Sequence, residues 1–258
     1  MTAAAYGNAY LNADLAAAYE DGNRMPEASL RAWADLITCF APRTPAEAVE
    51  IGAGTGMFCD ALVRYGRARR VMGVEPSSDM LSRARALHPD PRISYVEGNA
   101  VHVPTEDDAF DLMLISRVIH HLPDRKACAR EAARVLRPDG VVVIRTTFRE
   151  RLDALVYAYW PQALENDMLR FPGRDEVVAD FTAAGFTVRA DTQLSQPVAA
   201  NLRQYYERLT ARPQSKLATL SDADFADGLL RLQLAAAAEP ADAPPVQERY
   251  DVLVMEPA

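Results

Sequence analysis

The stretch Val49-Glu50-Ile51-Gly52-Ala53-Gly54-Thr55-Gly56-Met57-Phe58 constrains the fold more than any other part of the chain. A short β-branched run enters a turn with glycine at every second position, and a helical pattern follows at once. Glycine permits positive φ in such a turn and lets a ligand lie against bare backbone. In a doubly wound sheet a strand–turn–helix of this kind sits at the carboxyl edge, beside the switch point where ligands bind. The spacing here is G-x-G-x-G, whereas the dinucleotide fingerprint G-x-G-x-x-G would need glycine at the position of Met57. A nicotinamide cofactor is therefore disfavoured.

From residue 46 to about 188, short β-branched runs alternate with helical patterns, the arrangement of βαβ units on a parallel sheet. Strands are expected at 48–51, 70–74, 93–96, 110–115, 141–144, 186–188 and 249–254, with helices at 57–65, 78–86, 125–136 and 174–184. Gly140, after Pro138 and Asp139, reads as the stop signal of the 125–136 helix. The chain is expected to be one domain, 1–258, whose core is 41–148 and whose last strand lies in 246–258. Residues 1–40, with Tyr6, Tyr10 and Tyr19, are expected to form a helical lid, and 149–172 and 199–245 helical insertions on the acceptor side. Tyr157, Tyr159 and Trp160 in the first insertion either line an acceptor pocket or pack the insertion's own core.

Composition removes several classes of function. The chain has 258 residues, 49% hydrophobic and 25% charged, matching soluble globular domains rather than disorder. The longest aliphatic strings, 141–144 and 235–238, are far short of the roughly 18 residues of a membrane-spanning helix, so no membrane partner is expected. A net charge of -8 opposes non-specific attraction to phosphate backbones. The basic cluster Arg64, Arg67, Arg69 and Arg70 has only Tyr65 among it and reads as a solvated helix end, so no nucleic-acid partner is expected either. Cys39, Cys59 and Cys128 are odd in number and lack metal-ligand spacing, which points to reduced thiols and no metal site. No basic residue precedes an apolar run in the first residues, so a cytoplasmic location is expected.

In Val74-Glu75-Pro76-Ser77-Ser78-Asp79-Met80 an acid ends the second strand about 20 residues past the glycines, where a carboxylate can accept both hydroxyls of a ribose. Further on come Glu97-Gly98-Asn99-Ala100, Phe110-Asp111-Leu112, His120-His121-Leu122-Pro123-Asp124 and Leu136-Arg137-Pro138-Asp139-Gly140. In this order the set resembles the class I S-adenosylmethionine (SAM)-dependent methyltransferases, in particular their small-molecule, type 11-like group. The resemblance spans about residues 44–190 and returns at 250–254.

The resemblance implies an α/β fold, a Rossmann-like doubly wound sheet of seven mostly parallel strands with helical N-terminal and C-terminal lid insertions. It implies SAM as methyl donor and S-adenosyl-L-homocysteine as product. Carried over by position, Gly52, Ala53 and Gly54 would face the methionine part of SAM, with Glu50 supporting the loop. Glu75, with Pro76 beside it, would hold the ribose, and Met80 would pack on the adenine. Asn99, followed by Ala100, stands where the family has aspartate; its amide can still pair with the adenine edge as donor and acceptor. Ser116 and Arg117 would flank the sulfonium. Arg24, in Tyr19-Glu20-Asp21-Gly22-Asn23-Arg24, resembles the family's N-terminal Y-x-x-x-x-R stretch and would pair with the SAM carboxylate.

Methyl transfer from a sulfonium is an in-line displacement, so the protein must align acceptor and methyl and, for a hydroxyl acceptor, remove a proton. Of His88, His102, His120 and His121, only the last two follow the fourth strand at the switch-point edge. Sugar O-methyltransferases that resemble this segment use the pair near the acceptor; the alternative is that H-H-L serves packing and loop support. Those sugar enzymes often carry an acid just after the fifth strand, where this chain has Arg145. Arg145 would form an ion pair or contact an acidic acceptor, and the ion pair is the favoured reading. No carboxylate cluster supports a metal-assisted mechanism. The reading is thus a SAM-dependent methyltransferase with a small-molecule acceptor, O-methylation first and N- or C-methylation next. The alternative is a SAM-binding regulator or sensor without transferase activity.

Overall fold

A computed structural model describes residues 25–212 and 214–258. Its sheet grows outward from β1 (Ala46–Ile51), which is buried along almost its whole length. Such a strand needs cover on both faces, and its run of Ala48, Val49 and Ile51 suits that environment. β1 pairs in parallel with β2 (Ala68–Glu75) on one side and with β4 (Phe110–Ser116) on the other. β3 (Ile93–Glu97) extends the sheet beyond β2, and β5 (Leu136–Thr146) beyond β4, both in parallel. β7 (Val246–Pro257) then pairs antiparallel with β5, and β6 (Phe186–Ala199) lies at the edge, giving the order β3-β2-β1-β4-β5-β7-β6.

The direction of winding reverses between β1 and β4. Right-handed crossovers then place the helices Met57–Arg64 and Ser78–Leu87 on one face and Arg125–Val135 on the other. Two of these helices start on side-chain caps that the sequence supplies directly: Ser77 Oγ accepts the Met80 N–H, and Asp124 Oδ1 accepts the Ala127 N–H at 2.8 Å. The seven-stranded, mostly parallel, doubly wound sheet is the expected one.

Two local expectations give way to strand pairing. The helix over 125–136 ends at Val135, before Gly140, because Leu136 turns extended and pairs with Phe110 of β4. Pro138, Asp139 and Gly140 are thus part of an irregular entry into β5, and Gly140 is no helix stop. β6 runs for 14 residues, where only 186–188 stood out in sequence, since its polar Arg189, Asp191, Thr192 and Gln193 conceal an edge strand.

The chain divides into two compact units. One comprises Glu27–Thr147, Pro172–Leu194 and Tyr250–Ala258 and contains most of the sheet. Helix Glu27–Thr38 belongs to it and buries Trp33 and Ile37. The other includes Phe148–Phe171 and Ser195–Arg249 and is largely helical, with Val156–Tyr159, Pro161–Arg170, Leu202–Leu209, Ser215–Ala218 and Asp222–Ala238. Trp160 is 0% exposed at its centre, donates its indole N–H to the Phe225 carbonyl at 3.1 Å and stacks on the Phe225 ring. Gly228 makes that approach possible, because a Cβ there would stand 2.2 Å from Trp160 Nε1. Tyr157 is buried as well and donates to Asp167 at 2.8 Å. These aromatics pack the core of their own unit. Among the described residues no helix is long and apolar enough to cross a membrane.

Candidate functional site

At the carboxyl end of β1 the chain turns through Gly52, Ala53 and Gly54, and Gly52 and Gly54 lie at φ 68° and 55°. The Gly52 and Ala53 N–H groups both donate to the Val74 carbonyl, at 2.8 and 3.1 Å, which ties the turn to the neighbouring end of β2. A Cβ on Gly52 would stand 2.5 Å from Val118 Cγ2, so the turn after β4 packs directly on bare backbone. At Gly54 a Cβ would meet nothing within 4 Å, so the backbone there is open to a ligand.

The Gly54 N–H donates to Glu75 Oε2 at 3.0 Å, and the Ser77 N–H donates to Oε1 at 3.1 Å. Glu75 thereby links the glycine turn to the start of helix Ser78–Leu87. Burial raises its pKa, and the two backbone donors only partly oppose that. Each carboxylate oxygen keeps a further lone pair for a ligand hydroxyl.

Glu50 is 3% exposed, and Cys59 Sγ donates to its Oε2 at 3.0 Å. Burial pushes its carboxyl up to about 8, with the Cys59 hydrogen bond acting in the opposite sense. The Cys59 thiol is itself raised well above its usual value, by burial first and then by Glu50. Glu50 therefore carries a proton through much of the neutral range, beneath the turn it was expected to support.

Beyond Ser116, Arg117 adopts φ 58°, a left-handed conformation unusual for a residue with a side chain, and its N–H donates to the Arg145 carbonyl at 2.7 Å. A single turn of 3-10 helix, Ile119–His121, follows and is closed by the His121 N–H donating to the Val118 carbonyl at 2.7 Å. Ile119 anchors this turn in the core, while the half-buried rings of His120 and His121 lie 4.2 Å apart, tilted by 41°.

Met80 and Ala100 are buried, whereas Pro76 and Asn99 are exposed. Asn99 Oδ1 accepts the Val101 N–H at 3.0 Å, so the oxygen of the amide is engaged in its own turn and the NH2 is the group available to a ligand. The structure thus brings Gly54 and Glu75 into contact, and sets Gly52 against the turn that carries Arg117, His120 and His121. Arg24 lies outside the described residues. Among the described residues no group of three or more His, Cys, Asp or Glu side chains could hold a metal ion.

One contributor was not visible in sequence as part of the site, and a second was read there only as an ion pair or an acceptor contact. Val118 is the first; only the close approach to Gly52 reveals it. Arg145 is the other: 2% exposed, its guanidinium carbon lies 4.0 Å from the ring centroid of Tyr250, 4.5 Å from that of Trp33 and 5.1 Å from that of Phe58. Its Nη1 donates to Ser116 Oγ at 3.3 Å. The sequence signal was an arginine directly after the aliphatic run 141–144; its three aromatic neighbours are too far apart in the chain to be associated with it.

The sheet order, the glycine turn after β1 and the buried acid ending β2 define a Rossmann-like ligand-binding fold of the methyltransferase type. A family model described as Methyltransferase domain matches residues 49–144. A demethylmenaquinone methyltransferase from Geobacillus stearothermophilus is 29% identical, the match covering 54% of this chain and 70% of that protein. Among solved structures, a protein from an antibiotic biosynthesis pathway of Anabaena variabilis, described as a methyltransferase, aligns with TM-score 0.69 and 21% identity over 91% of this chain and 99% of its own. The 4+2 cyclase SpnF aligns with TM-score 0.61 and 18% identity over 92% and 84%, a likeness of fold alone. Over residues 49–144 the chain carries a methyltransferase domain, and its fold is that of the solved methyltransferase it aligns with.

Proposed function

We propose that this methyltransferase transfers a methyl group from SAM to a small-molecule acceptor, by O-methylation, with His120 or His121 taking the acceptor's proton. The observation that carries the cofactor part is the open backbone at Gly54 held against the buried carboxylate of Glu75. That pairing suits a ligand with hydroxyls beside an extended, backbone-bound end. When bound, SAM supplies an activated methyl on a sulfonium. The protein's share is to bind, orient and remove a proton.

In this reading the backbone of Gly52, Ala53 and Gly54 holds the methionine end, above Glu50. Glu75 accepts the ribose hydroxyls through the lone pairs left over by Gly54 and Ser77, with Pro76 beside it. Met80 and Ala100 form apolar walls for the adenine, and the Asn99 NH2 donates to its edge. Ser116 and Arg117 flank the sulfonium, and Arg24 pairs with the SAM carboxylate. Imidazole suits proton removal near neutral pH, and the two tilted rings of the Ile119–His121 turn offer one candidate each. The demethylmenaquinone methyltransferase relatives make a reduced, quinol-type acceptor, which carries the hydroxyl proton that O-methylation releases, the first to try.

The test is transfer of isotope-labelled methyl from SAM into a fractionated extract, with Glu75→Ala as control. Label in the small-molecule fraction, absent with Glu75→Ala, is the expected result. Label in protein or nucleic acid would overturn the acceptor class, and no transfer beside clear SAM binding would turn the reading toward a sensor. With an acceptor identified, one of His120→Ala and His121→Ala should lose turnover while both keep SAM affinity. Two fully active variants would remove the histidines from the mechanism.

A further inference from the structure

We propose that Arg145 is a positioning residue of this site, holding the two residues at the exit of β4, Ser116 and Arg117, in the geometry that methyl transfer needs. The inference rests on the SAM-site reading above.

A buried arginine is expensive unless its charge is compensated, and nothing about filling space at the end of a strand calls for a guanidinium. Among the described residues, aromatic rings from separate elements lie against the charge. Trp33 comes from helix Glu27–Thr38, Phe58 from the first turn of helix Met57–Arg64 and Tyr250 from β7. Cation–π attraction strengthens when the cation is shielded from water. These rings are therefore among the groups that fix where the guanidinium sits.

Arg145 meets its neighbour strand twice, once through its side chain and once through its backbone. It is in register with Ser116, and its Nη1 donates to Ser116 Oγ at 3.3 Å. Its carbonyl accepts the Arg117 N–H at 2.7 Å. A guanidinium is a donor only, so Ser116 Oγ must accept from it and turn its own proton away from Arg145. A free hydroxyl would rotate; this one is directed. Arg117 meanwhile occupies a left-handed conformation that persists only where its surroundings over-determine it. Lysine is a poor substitute, because an ammonium can sit over a ring but lacks the planar fork that reaches Ser116 from there.

The experiment is calorimetric binding of S-adenosylhomocysteine to the full chain and to Arg145→Lys, Ser116→Ala and the double variant, with melting temperatures alongside. Each single variant should weaken binding about tenfold, the size expected for one hydrogen bond to a charged group. The double variant should be no weaker than the worse single one, because both changes break the same contact. Tyr250→Leu, which removes one of these rings and leaves Arg145 in place, covers the case in which Arg145→Lys does not fold. It should weaken binding about threefold in the wild-type background and not at all in Ser116→Ala. Losses that multiply to about hundredfold, or Arg145→Lys binding like the wild type, would overturn the proposal and leave Arg145 as a packing residue. An equal loss from Tyr250→Leu in both backgrounds would do the same. A wild-type chain that binds no S-adenosylhomocysteine would instead refute the SAM-site reading, and this inference with it.

Discussion

Asp111, at the amino end of β4, and Glu50, at the carboxyl end of β1, are buried carboxyls of one sheet, yet they hold their protons in opposite ways. Asp111 is 1% exposed and accepts from the Glu47 N–H at 2.9 Å, from Arg137 at 2.7 Å and from Arg43, which also reaches Asp139. Burial alone would raise its carboxyl; these donors outweigh burial and hold it below the usual range. At the other edge, Glu50 receives a thiol and Glu75 two backbone N–H groups, and burial prevails in both. Left-handed residues occur at both edges, Gly52, Gly54, Gly56 and Arg117 at this one and Arg67 and Asp108 at the amino edge, so backbone strain does not separate them. One edge satisfies its charges within the fold. The other keeps raised carboxyls beside the open backbone of Gly54, the usual signature of a ligand-binding edge.

The sharpest way to break this contrast is at Gly52. Gly52→Ala puts a Cβ 2.5 Å from Val118 at φ 68°, and S-adenosylhomocysteine affinity should fall about hundredfold by calorimetry while the sheet still forms. Near-normal affinity would mean that the turn after β4 gives way freely.

Asp111→Ala tests the opposite edge. The melting temperature should fall by about 5 °C, with ligand affinity unchanged. A large loss of affinity would show that the amino edge is not merely structural. Because the Asp111 pKa is lowered, its contribution is present above the ordinary carboxylate value and is lost as pH falls from there through the lowered folded value. The variant should therefore show a shallower loss of stability on acidification.

The smallest effect is expected at Glu50, with the opposite sign. Its folded pKa is raised, so its contribution is fully present below the ordinary value of 4.5 and is lost as pH rises toward about 8. Glu50→Gln should flatten that decline, raising the melting temperature on the alkaline side by about 3 °C relative to wild type. Parallel melting curves across this range would show that Glu50 is ionised in the folded protein.

The legible parts of the protein were those that local rules govern. Alternating glycines announce positive φ, an acid at a strand end announces a carboxylate at the ligand edge, and Ser77 and Asp124 announce helix starts. Gly140 misled because the same local rule lost to pairing. Leu136 opposite Phe110, with Arg137 on Asp111, extends β5 back to the helix. β6 was largely hidden because an edge strand needs no apolar alternation on its polar stretch.

By itself, then, the sequence determined the βαβ winding, the glycine turn and the acid that faces it, since each is announced by a short local pattern at the end of a strand. The rings around Arg145, the contact of Val118 with Gly52 and the raised carboxyl of Glu50 were decided only in three dimensions. Trp33, Phe58, Arg145 and Tyr250 come from distant parts of the chain, and burial is a property of everything packed around a group, which no local pattern encodes.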